Sequence, residues 1–252
     1  MPDEKLNRRN ADFSWSEFDS EYYFQHYYGE PHRDDEDLVR FTCSAFKELM
    51  DKDQLLDILD VGTGPSLIPL MCASPLASKV TAWEYSESNI RWLRHELASA
   101  VPRPQWDHFW AVARATYAPE YRLPENPLES LRGRTEIRHG SIFDLPKRSW
   151  DAATMFFCAE SITGSRDEFR RACSHFAQAV KQDGLLVAAF LVGSSRYEVA
   201  DRPFPILNVS DADIREVFEP LAADIQATTI GIVEEEIRSG YSGMLFMTAR
   251  ST

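Results

Sequence analysis

Few of the features that announce a protein's role are present in this chain. Its 252 residues hold four cysteines, Cys43, Cys72, Cys158 and Cys173, no two closer than fifteen positions. That scatter gives neither a zinc spacing nor a disulfide framework, so reduced thiols in the cytoplasm are expected. The longest unbroken apolar run, Leu185 to Val192, is eight residues, far short of the ~20 that cross a bilayer. The opening residues, MPDEKLNRRNADF, contain no apolar stretch of the kind a secretory signal uses. Basic residues are scarce: 27 Lys and Arg stand against 40 Asp and Glu, a formal net charge of -13. Such a balance repels phosphate backbones and argues against nucleic acid or a membrane surface as partner. The six histidines show no metal-ligand spacing. What is left is a globular composition, 44% hydrophobic and 12% aromatic, with length enough for one sizeable core. The expected partner is a small molecule, and oligomeric state cannot be read.

Along the chain, residues 1–52 read as a helical cap rich in aromatics: Phe13, Trp15, Phe18, Tyr22, Tyr23, Phe24, Tyr27 and Tyr28. Residues 53–252 read as an α/β core in the same domain. Leu55–Val61 is a buried strand, followed by a Gly-rich turn and a helix over Ser66–Ala73. Lys79–Glu84 is a second strand, and Ser86 caps a helix with Ile90, Leu93 and Leu97 on its apolar face. Residues 99–133, rich in Pro, Trp and Arg, read as an irregular or helical insertion. Further strands are expected at Thr135–His139, Asp151–Phe157 and Leu185–Val192. Ser165 and Glu168 form a predicted capping box, and the helix they open is expected to stop at Gly184. Ser210 opens another helix, and Asp224–Val233 and Gly243–Ala249 are strand-like. The alternation predicts a doubly wound, mostly parallel seven-stranded sheet, Rossmann-like, with an antiparallel hairpin at one edge. Ligands in such sheets bind beyond the carboxyl ends of the strands, where strand order reverses.

The chemistry concentrates after the first two strands. Asp60-Val61-Gly62-Thr63-Gly64-Pro65 is a turn in which two glycines let backbone approach a ligand closely. Glu84 ends the second strand, where an acid can accept both hydroxyls of a ribose, and Asn89 lies within reach on the following helix. The third glycine of the dinucleotide fingerprint is missing, because Leu67 occupies that position. A turn without it, and with Pro65, suits a nucleoside lacking a diphosphate; S-adenosylmethionine is such a ligand.

At these residues the chain resembles class I methyltransferases of the nicotinamide, phenylethanolamine and thioether methyltransferase family. Phe18, Tyr23, Tyr27 and Tyr28 match its aromatic amino-terminal motif, and residues 60–65 its glycine turn. Glu84-Tyr85-Ser86-Glu87-Ser88-Asn89 matches its acid-Tyr-Ser segment. Phe157-Cys158-Ala159-Glu160 follows the fourth strand and Ser194-Ser195-Arg196-Tyr197 the fifth. The matches run in order over about residues 13–250.

The resemblance implies that Tyr23, Tyr28, Gly62 and Thr63 surround the methionine end of S-adenosylmethionine, with Asp60 and Gly64 also cofactor-binding. It implies that Glu84 and Asn89 hold the ribose and neighbouring atoms and that Ser141 and Ile142 lie beside the adenine, with Tyr85 and Cys158 also cofactor-binding. Tyr27 and Tyr197 would line the acceptor pocket, and Glu160 would orient or deprotonate the acceptor. Burial near Phe157, Tyr197 and Phe190 would raise the pKa of Glu160 toward that of a useful base. Two departures stand out. The family often has Asp where this chain has Ser141, so the bond to the adenine amino group is lost or comes from Asp144. Amine- and pyridine-acting members carry an acid where this chain has Phe190. The reading is methyl transfer to a small molecule, at nitrogen first and at oxygen or sulfur as the alternative. A non-catalytic cofactor-binding protein and a nicotinamide-dependent oxidoreductase are the competing classes.

Overall fold

The computed structural model describes residues 8–49, 54–118, 123–230 and 240–252. Its frame is a seven-stranded sheet in the order β3-β2-β1-β4-β5-β9-β8. The strands are β1 (Leu56–Val61), β2 (Ala77–Glu84), β3 (Thr135–His139), β4 (Trp150–Phe156), β5 (Val180–Val192), β8 (Ala222–Ile230) and β9 (Gly243–Ser251). Strands β1 to β5 pair in parallel, and β9 runs antiparallel between β5 and β8. A separate antiparallel hairpin, β6 (Tyr197–Val199) with β7 (Arg202–Phe204), follows β5; nothing in the sequence pattern marked it.

The central strands are apolar almost throughout because both faces are covered. Successive residues alternate between two cores: Ile58 faces one and Leu59 the other, and Leu185 and Val187 oppose Leu186 and Ala188. The first core is covered by α1 (Ser20–Tyr28), α2 (Arg33–Lys47), α3 (Ile68–Ala73), α4 (Glu87–Ala98) and α5 (Pro104–Tyr117), with α6 (Pro127–Leu131) beside them. The second is covered by α7 (Arg166–Ala179) and α8 (Asp211–Phe218). Ser86, Ser165 and Ser210 cap α4, α7 and α8 by accepting a backbone N–H three residues on.

Several expectations change. Of the two readings of residues 99–133, the helical one holds and the irregular one does not. Trp106, Phe109, Trp110, Ala113 and Tyr117 recur at helical spacing and are fully buried, so α5 belongs to the first core. Each such large side chain contributes about 1.5–3 kcal/mol through burial. The helix after the glycine turn starts at Ile68, two residues later than expected. Helix α7 ends at Ala179, and Gly184 lies inside β5 instead. A Cβ at Gly184 would sit 2.5 Å from the Asp151 carbonyl oxygen, so glycine is required by strand packing and not by a helix end. The Ser165 capping box is half made: Glu168 turns away and accepts the N–H of Asn10 at 2.7 Å. The expected strand from 224 begins at Ala222, and its expected tail over 231–233 lies outside the described residues, as do residues 1–7 and 50–52 of the cap.

The path of the chain positions the site. It runs outward through β1, β2 and β3, then returns to β4 on the other side of β1. Loops leaving β1 and β4 therefore diverge, and a crevice opens at their carboxyl ends.

Candidate active site

The glycine turn is set by two demands. Gly62 and Gly64 have φ of +67° and +60°, conformations costly for side-chain-bearing residues. A Cβ on Gly62 would also lie 2.3 Å from Cys158 Sγ, so the loops after β1 and β4 touch only because the side chain is absent. The turn's amides are already engaged: Gly62 N–H donates to the Trp83 carbonyl at 2.8 Å, and Gly64 N–H to Glu84 Oε2 at 2.8 Å. Glu84 Oε1 accepts the Ser86 N–H at 2.7 Å. This carboxylate thus ties the end of β2 to the turn after β1. Burial raises its pKa, and the amides of Ser86 and Gly64 pull it back down.

Asp60, at the end of β1, is 1% exposed. Its Oδ1 accepts the Thr154 hydroxyl at 2.6 Å. Its Oδ2 and the nearby Thr63 Oγ1 are buried with no hydrogen-bond partner among the described residues. Desolvation pushes the Asp60 carboxyl up to about 7; the Thr154 and Thr63 hydroxyls oppose this and the charge of Glu84 adds to it. The Thr63 hydroxyl is close enough to ease ionisation of Asp60 but stands outside hydrogen-bond geometry.

These groups face one cavity of about 1000 Å³, part of it open to solvent. Among the residues singled out from the sequence, Tyr23, Tyr28, Asp60, Gly62, Thr63, Gly64, Glu84, Tyr85, Asn89, Ile142, Cys158 and Tyr197 line it. Tyr85 stands at the mouth, 48% exposed, with its ring 6.0 Å from that of His139. Burial holds the Cys158 thiol well above its ordinary pKa, so it lines the wall as a neutral group.

Tyr27, Ser141 and Glu160 are not brought to the cavity wall. Tyr27 packs behind Tyr23, ring centroids 4.5 Å apart. Ser141 caps the short turn Ile142–Asp144, its hydroxyl accepting the Phe143 N–H at 3.2 Å. Asp144, the expected substitute at the adenine, is exposed and also off the wall. Glu160 is 0% exposed; its Oε1 accepts the Leu191 N–H at 2.9 Å and its carbonyl accepts the Leu207 N–H at 2.7 Å. Phe190 points into the second core against Phe169 and Phe218, both at 6.1 Å, and forms no part of an acceptor pocket.

The structure adds Asn10, Trp15, Phe18, Trp83, Ser161 and Ile162 to the wall. Asn10, Trp15 and Phe18 come from a segment that crosses the crevice and is latched on both sides. Toward α7, Gly164 N–H donates to the Arg8 carbonyl and Asn10 N–H to Glu168. Toward α4, the Ser86 hydroxyl donates to the Trp15 carbonyl at 2.8 Å and the Ser20 hydroxyl to Asn89 Oδ1 at 2.7 Å. Trp15 and Phe18 then pack on Phe204 of the β6–β7 hairpin at 5.4 and 5.1 Å. The density of aromatics before α1 was the visible signal; the latches join residues more than sixty positions apart and leave no local pattern.

Comparison with known proteins shows the family and the fold. The model of the NNMT/PNMT/TEMT family matches residues 8–252. The phenylethanolamine N-methyltransferase of Sus scrofa is 22% identical over 202 residues, spanning 73% of this chain and 68% of that protein. Magnesium protoporphyrin IX methyltransferase from Synechocystis PCC 6803 with bound SAH shares the fold at a TM-score of 0.57 and 10% identity, over 92% of this chain and 93% of that one. The 1,6-didemethyltoxoflavin-N1-methyltransferase of Burkholderia thailandensis does so at 0.53 and 14%, over 92% and 86%. The chain belongs to the NNMT/PNMT/TEMT family of S-adenosylmethionine-dependent methyltransferases.

Proposed function

We propose that the cavity holds S-adenosylmethionine across the ends of β1 and β2, and that the methyl group passes to a nitrogen of a small-molecule acceptor. One observation carries the reading: buried polar groups of matching chemistry face a single cavity. Asp60 Oδ2 and Thr63 Oγ1, both lacking partners among the described residues, suit the ammonium of an amino-acid end. Glu84 keeps spare lone pairs after accepting Gly64 and Ser86, enough for ribose hydroxyls. A diphosphate would find the Gly62 and Gly64 amides already committed and two carboxylates facing it, which counts against a nicotinamide dinucleotide.

When bound, the cofactor supplies a methyl carbon on a cationic sulfur. The chain's task is to hold the acceptor in line with that carbon and keep water away. Trp15, Phe18, Tyr23 and Tyr197 form the aromatic roof that would enclose a planar acceptor. A nitrogen acceptor would have to present its lone pair in line with that carbon, which the roof residues would enforce. A nitrogen that arrives uncharged needs no base. We assign Glu160 a positioning role: it clamps the loop after β4 to the end of β5 through Leu191.

Nitrogen is supported by the relatedness to a phenylethanolamine N-methyltransferase. The alternative is an oxygen or sulfur acceptor; Phe190, which suggested it, lies in the second core away from the cavity and does not decide between them. Calorimetry with S-adenosylhomocysteine tests the cofactor; absence of binding at millimolar ligand ends the reading. Incubation with methyl-labelled cofactor and a metabolite extract, followed by mass spectrometry, tests the acceptor atom. A label found on oxygen or sulfur would select the alternative.

A further inference from the structure

We propose that Asn10 reads the adenine edge of the cofactor, its carboxamide doing the work of an acid after β3. The inference rests on the cofactor reading above. Asn10 lines the cavity, and its Oδ1 is buried with no hydrogen-bond partner among the described residues. Its backbone is fully occupied. The N–H donates to Glu168 Oε2 at 2.7 Å, and the carbonyl accepts from Trp15 Nε1 at 3.1 Å and Phe13 N at 3.3 Å. The residue is therefore pinned, and only its side chain is left to meet a ligand.

Its position follows from α7. Glu168, Arg171 and His175 are spaced by three and four and share one helical stripe. Arg171 lies 5.0 Å from the centroid of Phe143, and the His175 ring lies 5.9 Å from it. That stripe therefore faces the turn Ile142–Asp144 after β3, and Glu168, at its amino-terminal end, delivers Asn10 to that side. The order of the strands places the purine there as well. The amino-acid end belongs over the turn after β1 and the ribose at Glu84 of β2. The base, on the far side of the ribose, extends toward β3 and the wall residue Ile142.

Two other polar side chains belong to that turn, and neither takes this part. The Ser141 hydroxyl is turned to the Phe143 N–H, and the exposed Asp144 is off the wall. A carboxamide offers one acceptor and two donors, the pattern that pairs with the amino group and adjacent ring nitrogen of adenine.

The test compares S-adenosylhomocysteine with its analogue lacking the purine 6-amino group, by calorimetry on the full chain. Wild type is expected to prefer the amino form about tenfold or more, since its absence leaves a buried oxygen unpaired. Asn10→Ala should weaken the amino form by that factor and leave the analogue unchanged. It breaks no internal hydrogen bond of the side chain oxygen, so the melting temperature should hold. Asn10→Asp keeps an acceptor and should keep the preference. Equal weakening of both ligands by Asn10→Ala, or of neither, overturns the proposal, as does loss of the preference in Asn10→Asp. Failure of wild type to bind either ligand would remove the cofactor reading itself, and this inference with it.

Discussion

Asp60 is the residue whose chemistry is most altered by the fold. Its folded pKa of about 7 exceeds the ordinary carboxylate value because it is desolvated. Folding therefore favours the protonated form, and the stability linked to this group is present at low pH and is lost as pH rises from about 4 through 7. Binding an ammonium reverses the preference, because the cation is held by the carboxylate. Affinity for S-adenosylhomocysteine is expected to increase from pH 6 to pH 8, by up to about tenfold per unit below the inflection. Asp60→Asn should flatten the profile, and Thr154→Val, which removes the 2.6 Å hydrogen bond, should move the inflection upward. Calorimetry across that range decides it, and a flat wild-type profile would exclude Asp60 as the ammonium's partner.

Between elements, the decisive contact is Glu160. Replacing it with Ala strands the buried Leu191 N–H, a loss of about 1–3 kcal/mol. Glu160→Gln keeps a carbonyl acceptor there and should retain most stability and turnover, as thermal melts and steady-state kinetics on both variants would show. Abolished turnover in a well-folded Glu160→Gln would instead give the carboxylate a chemical role. Its place after β4 was legible in the F-C-x-E pattern, but the direction of its side chain was not. A 3-10 turn over Ala159–Ser161 aims it at β5, and turns of that kind leave no periodic signature. The same distinction separates Ser86, whose capping role is local and readable, from Glu168. The expected capping box failed because a distant backbone N–H, that of Asn10, competed for the same carboxylate. Residues 99–133 left the irregular and helical readings open, and the helix is what the fold selects: Pro104 stands in the first turn of α5, where no amide is needed.

At the scale of the molecule, the strand order makes the crevice and the amino-terminal segment roofs it. Among the described residues no helix is long and apolar enough to cross a membrane. We expect the latched segment over residues 8–19 to gate ligand entry and release. Hydrogen exchange should therefore show amides of this segment and of the Glu84–Ser86 turn gaining protection together when S-adenosylhomocysteine binds. A ligand at a hundred times its dissociation constant should also add about 2.7 kcal/mol to stability. Protection confined to the Glu84–Ser86 turn would mean the segment is not part of the gate.

Local information determined the class of fold, the glycine turn, the acid after β2 and the serine caps. Each of these depends on neighbours within a few positions or on a repeating period. Tertiary structure alone decided which side chains face the cavity. Tyr27 and Tyr23, Glu160 and Ser161, and Ser141 and Ile142 are neighbours in motif but differ in the side they present. Burial, the latches across the crevice and the contact between Gly62 and Cys158 select among them, because those contacts exist only once the loops after β1 and β4 have been brought together.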